Sequence, residues 1–194
     1  MLKEGFTLIE LIVVIAIIGI LSVMGVLAYS SNMRTARDGK RKADLEQLRA
    51  ALEMYRSNDP LGEYPKQADI TKWYSSESGD NGMVISSITD YIPGLISGGY
   101  IQQLPRDPKG GASNNSICGG TWKRAYLYMS NGTNYKLLSH CAQESNYWST
   151  TDPYYDPVRP CWAWQVSSSL AIRGSGGTLN PCAGVSGDFT NGPW

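Results

Sequence analysis

One carboxylate stands out by its surroundings. Glu10 is the single charged residue in the 23-residue run 6–28, FTLIELIVVIAIIGILSVMGVLA. A carboxylate inside an apolar segment is costly unless it is neutralised or paired. Its chemistry is therefore electrostatic: it either reaches water from the helix end or awaits a cation. Four cysteines, Cys118, Cys141, Cys161 and Cys182, all lie in the second half of the chain, with no Cys-x-x-Cys among them. Two disulfides in an oxidising compartment are expected in preference to a zinc site. Four cysteines permit three connectivities. Sequential pairing, Cys118 with Cys141 and Cys161 with Cys182, is our expectation, each bridge contributing about 3 kcal/mol in the chain-entropy picture. His140 is the only histidine, which excludes chemistry needing several. Asp152, Asp156 and Asp188 offer hard oxygen ligands for calcium, but their spacing specifies no site, and no cofactor is expected. Gly174-Ser175-Gly176-Gly177 lacks the Lys-Ser/Thr of a phosphate loop, and no nucleophile motif is present. No enzymatic activity is expected.

These residues need elements to hold them. As a helix the 6–28 run measures about 35 Å, enough to cross a hydrocarbon core of ~30 Å. It is too long for the apolar region of an ordinary signal peptide. Beyond Ala28 the pattern turns amphipathic. Leu45, Leu48, Leu52 and Tyr55 follow 3-4-3 spacing, with Ala43, Ala50, Ala51 and Met54 nearby. Arg41, Lys42, Asp44, Glu46, Gln47 and Arg49 supply the polar remainder. This predicts one apolar stripe packed on the rest of the domain. With no proline before Pro60, one helix is expected from Phe6 to Ser57, about 75 Å long. Gly19, Gly25 and Gly39 weaken it locally, and Asn58-Asp59-Pro60 with Gly62 ends it.

The remainder is aromatic and rich in glycine, and all six Trp fall within it. Ala125–Met129 and Asn134–Ser139 flank Asn131-Gly132, a hairpin signal. Cys161–Val166 and Ser169–Ile172 are further strand candidates, and Met83–Tyr91 a short helix. The expected fold is α+β, a long N-terminal helix packed on a C-terminal antiparallel sheet. Tyr147, Trp148, Tyr154, Tyr155, Trp162 and Trp164 either pack a small core or form an exposed sugar- or partner-binding surface; packing is favoured. Asn114-Asn115-Ser116 and Asn131-Gly132-Thr133 match the glycosylation triplet, though the second reads better as a turn. Lys+Arg and Asp+Glu both number 17, a formal net charge of zero. That argues against a general electrostatic nucleic-acid binder.

Gly5-Phe6-Thr7-Leu8-Ile9-Glu10, preceded by Lys3-Glu4 and followed by the apolar helix, resembles the class III signal of type IV prepilins and pseudopilins. The resemblance covers residues 3–28. It implies a leader of residues 1–5, cleavage between Gly5 and Phe6 by a membrane aspartic prepilin peptidase, and N-methylation of the new Phe6 amine. It further implies that Glu10 pairs with the Phe6 amine of a neighbouring subunit during assembly. The physics agrees with that role, because both charges are costly alone in a low-dielectric filament core. One rule points the other way. Lys3 and the amino terminus precede the span, whereas Arg34, Arg37, Lys40, Arg41 and Lys42 follow it, and positive charge favours the cytoplasmic side. The leader and the cysteines outweigh this rule, and the large domain is expected outside the cytoplasm.

A second resemblance covers about residues 43–139. The stretch 43–65, with its Tyr64-Pro65 exit, is similar to the end of a pseudopilin stem. Tyr100–Pro108, containing Leu104-Pro105-Arg106-Asp107-Pro108, is similar to the segment before the sheet in major pseudopilins of type II secretion. There a Leu-Pro-x-Asp-Pro motif leads to a Tyr-x-Tyr strand, here Tyr126-Leu127-Tyr128, and a second strand, here Tyr135–Leu138. After Ser139 the chain departs from that family, whose compact calcium loop is replaced by some fifty residues holding three of the cysteines.

The expected organisation is a leader (1–5), a transmembrane or filament-core helix (6–28), an amphipathic stem (29–57) and a globular sheet domain with a disulfide-bonded C-terminal region (58–194). The expected function is that of a structural subunit of a type IV pilus or a type II secretion pseudopilus. It would reside in a bacterial inner membrane before assembly and in a periplasmic or extracellular filament afterwards. Implied partners are other copies of the chain, the prepilin peptidase, an assembly platform and a motor ATPase; nucleic acid is not expected. The alternatives are a minor tip pilin acting as an adhesin and a signal-anchored ectodomain that never polymerises.

Overall fold

The computed structural model describes residues 7–70, 72–78, 89–111, 123–141, 144, 151–156 and 163–168, the side chains of 24–28 excepted. Helix α1 runs unbroken over Leu8–Asn58, about 75 Å at 1.5 Å per residue. Its bounds lie within two residues of the expectation, and it passes through Gly19, Gly25 and Gly39 without a break. The stop is local chemistry: the Asp59 N–H donates to Tyr55 O (2.9 Å), and Pro60 cannot extend the ladder. Asp59 Oδ2 then accepts from the Leu61 and Glu63 N–H groups, both at 3.0 Å, in a turn with Gly62 at φ 64°.

Four antiparallel strands follow: β1 (Tyr74–Ser75), β2 (Ala125–Ser130), β3 (Tyr135–His140) and β4 (Ala163–Ser167), in spatial order β1-β2-β3-β4. The β2–β3 hairpin turns at Asn131–Asn134. The Asn134 N–H donates to Asn131 Oδ1 (2.8 Å), and Gly132 takes φ 92°, the left-handed conformation that glycine adopts without strain. The Asn131-Gly132 signal thus forms the expected turn. Register pairs Tyr128 with Leu137 and Tyr126 with Ser139, and β4 continues it through Leu137 with Val166 and Ser139 with Trp164. The edge strand β1 is a short addition that its sequence does not announce.

The helix stripe meets one face of this sheet. Leu45, Leu48 and Leu52 are fully buried against Tyr126, Tyr128, Tyr135, Leu137 and Trp164. Each buried leucine is worth about 2 kcal/mol. The other face is buried too. Trp73, Ala125, Leu127, Met129 and Leu138 form a second cluster, and every residue of β2 and β3 is buried. Trp164 is therefore a core residue, as favoured, and Tyr154 packs at the edge of the same core.

The stem differs from its expected polarity in one respect. Asp38, Arg41 and Asp44 are buried, whereas Ala43, Ala50 and Met54 are exposed. The stripe of 45, 48 and 52 extends upstream at the same spacing through 41 and 38, so these charged residues occupy core register. Of the expected helix 83–91, residues 83–88 lie outside the described ones and Thr89–Tyr91 are not helical. The candidate strand 169–172 and the aromatics Tyr147, Trp148 and Trp162 also lie outside them.

Candidate assembly site

The first turn of α1 is closed by its own carboxylate. Thr7 stands at the N-cap, and its N–H and hydroxyl donate to Glu10 Oε2 at 2.8 and 2.7 Å. The Glu10 N–H donates back to Thr7 Oγ1 at 3.3 Å, completing a capping box. Glu10 therefore sits at the helix N-terminus, where the backbone dipoles favour an anion. Gly5 and Phe6 lie outside the described residues. The neighbouring-subunit role implied for Glu10 would compete with a bond the chain makes to itself.

Behind this cap the helix stands clear of the domain. Leu8 is 75% exposed and Leu21 62%, and the large apolar side chains between them are exposed as well. Among the described residues no part of the sheet covers them. Among the described residues no helix is long and apolar enough to cross a membrane.

The second half of the helix is locked to the domain by charge. The Arg41 guanidinium, fully buried, donates to Asp107 Oδ2 (2.6 Å) and Oδ1 (3.0 Å), to Asp38 Oδ1 (2.8 Å) and to Glu144 Oε1 (2.9 Å). Arg37 donates to both Glu144 oxygens, at 2.9 and 2.5 Å, and Lys109 Nζ lies 3.3 Å from Glu144 Oε2. Burial alone would raise the Glu144 carboxyl, but the bonds from Arg37 and Arg41 hold it down at about 2. Burial opposes the Arg41 charge, yet Asp107 and Glu144 more than offset that, and its pKa is raised. Asp107 belongs to the Leu-Pro-Arg-Asp-Pro segment, so that segment clamps the stem. One turn on, Asp44 accepts from Tyr126 Oη (2.7 Å) on β2 and from Lys40. Lys42 reaches Asp152 Oδ2 (2.5 Å) between the rings of Tyr154 and Trp164.

These contacts bear on the charge conflict noted above. Of the five cations after the apolar run, Arg37, Lys40, Arg41 and Lys42 are neutralised by carboxylates, three of them by carboxylates in loops more than sixty residues away. Sequence reading missed this cluster. The signal for it was available, because Arg41 and Asp38 fall on the apolar stripe, where a charge needs a partner.

The remaining candidates divide. Cys141 is disulfide-bonded, with φ 53° where the chain leaves β3. Cys118, Cys161 and Cys182 lie outside the described residues, and with them the pairing. His140 is fully buried, its Nδ1 3.4 Å from Cys141 Sγ. Asp152 is engaged by Lys42, and Asp156 lies 3.5 Å from the buried Lys136; Asp188 lies outside the described residues. Among the described residues no group of three or more His, Cys, Asp or Glu is set to hold a metal.

Residues 1–26 match the family model described as the prokaryotic N-terminal methylation motif. No curated protein and no solved structure matches the chain. The matched motif is the class III signal of prepilin-type proteins, which are membrane-anchored before assembly and processed by prepilin peptidase. With that signal ahead of a long helix packed on a four-stranded antiparallel sheet, the chain is type IV pilin-like in both its N-terminus and its architecture.

Proposed function

We propose that the chain is a structural subunit of a type IV filament, cleaved after Gly5 and assembled through its N-terminal helix. The observation that supports this best is the exposed apolar half of α1. Twelve large apolar side chains between Leu8 and Val23 are each at least 46% exposed. At about 2 kcal/mol each, covering them is worth roughly 20–25 kcal/mol against water. That is an upper limit for assembly, because a bilayer covers them before neighbouring helices do. The helix thus leaves lipid for protein, and packing with its neighbours decides the balance. Glu10 and the Phe6 amine supply register, and the reading assigns the chain no catalytic step.

Of the two filament types, a secretion pseudopilus is favoured. The Leu104–Pro108 segment, the feature resembling major pseudopilins, supplies the carboxylate that clamps Arg41. It is followed by the Tyr-Leu-Tyr strand in the same order. The test is the mass of the N-terminal peptide from native membranes and sheared filaments. A methylated Phe6 terminus is expected. An intact Met1 on a membrane-bound protein would refute the reading in favour of a signal-anchored ectodomain.

A further inference from the structure

We infer that the groove between the stem and loop 99–103 is the seat of a second copy of this chain, and that it receives Leu61. The inference rests on the filament reading and adds which residues join neighbouring copies. The groove has a volume of about 480 Å³ and is lined by Gln47, Ala50, Met54, Tyr100, Ile101 and Gln103 among others. Among the described residues no charged side chain lines it, so an apolar group enters without stripping an ion of water.

Continuity with the apolar half of α1 says what covers it. Tyr29, Met33, Ala36, Ala43, Ala50 and Met54 are all exposed and share one face of the helix, with Lys40 and Gln47 between them. Upstream the helix is apolar and exposed on every face from Leu8 to Val23, so this face of the stem runs directly into it. Copies that pack lengthwise through their apolar halves bring their stems alongside one another, and this is the face the domain leaves exposed. The groove opens at its far end.

The knob is on the same chain. Leu61 is 80% exposed, the highest value of any large apolar side chain among the described residues. It is also held in place. Asp59 accepts from the Leu61 and Glu63 N–H groups, the Gly62 N–H donates to Asp59 O (3.0 Å), and Arg56 Nε donates to Gly62 O (3.0 Å). A fixed leucine in full solvent offers its apolar area without a large ordering cost. Knob and groove are different surfaces of one molecule. Their contact is heterologous, and repeating it gives an open helical polymer rather than a closed dimer. From Ala50 to the helix end at Asn58 is about 12 Å, so successive copies are displaced along the helix axis by a step of that order.

The test uses the full-length chain in assembling cells. The variant Leu61→Cys with Gln103→Cys should give a disulfide-linked ladder from sheared filaments on a non-reducing gel, absent from either single variant. A bridge within one copy would give no ladder, so the ladder itself reads contact between copies. Leu61→Arg should lower filament yield about tenfold or more, and Leu61→Met should restore it. Filaments that form without the ladder, or an undiminished yield for Leu61→Arg, overturn the docking while leaving the filament reading intact. An unaltered chain that keeps Met1 and makes no filament overturns both.

Discussion

Replacing Arg41 by methionine tests whether charge, as well as apolar packing, locks the stem to the sheet domain. The substitution keeps an unbranched, helix-compatible side chain and removes four hydrogen bonds to three carboxylates. Asp107 is left fully buried, with the Lys109 N–H at 2.7 Å as a remaining donor. Breaking a buried ion pair by removing one partner costs about 3–5 kcal/mol, since the other charge stays desolvated. For a chain of this size each kcal/mol lowers Tm by about 2–4 °C, so a fall of roughly 10 °C is expected for Arg41→Met. The assay is thermal unfolding of the detergent-solubilised full chain at pH 7, followed by tryptophan fluorescence. Adding Asp107→Asn should recover part of the loss, because the stranded charge is then gone. The double variant should accordingly be more stable than the sum of the two single effects predicts. A loss below about 1 kcal/mol for Arg41→Met, or strict additivity, would refute the argument that the clamp carries the joint.

Three further outcomes are expected. Glu10→Gln keeps an oxygen for the Thr7 cap but loses the charge, so helix content should hold while filament assembly fails; normal filaments from this variant would sink the ion-pair role. Glu144 is held at about 2 against an ordinary 4.5. Its contribution is complete above about 4.5 and is lost as pH falls toward 2. The full linkage is about 3 kcal/mol, reduced to about 1–2 by solvent screening of its partly exposed partners. Glu144→Gln should flatten the acid limb of stability between those values, and an unchanged limb in a urea titration would contradict it. Leu48→Ala removes a fully buried contact between helix and sheet and should cost about 2–5 kcal/mol by denaturant unfolding, with processing at Gly5 unaffected.

Much of this molecule is local and therefore legible. The helix through the apolar run, the stripe of leucines 45, 48 and 52, the Asn58–Gly62 stop and the Asn131-Gly132 turn each rest on neighbours within about seven residues, and as local structure each formed as expected. The class III signal is linear because an enzyme reads it as a linear chain, so residues 1–26 could be matched without any fold. What sequence alone left open was of another kind. Arg41 read as part of the polar side of an amphipathic helix, and Asp38 carried no reading at all. They are core residues because Asp107 and Glu144, sixty and more positions on, reach them, and no periodicity reports a partner that distant. The two-residue edge strand β1 has too little sequence to signal itself and exists through its register with Leu127 and Tyr128. The N-terminal motif and the path of the helix were thus legible in composition and spacing. Which charges are buried, which face of the stem stays exposed, and where a groove opens were decided only when the sheet closed over the helix, because burial is a property of two surfaces together.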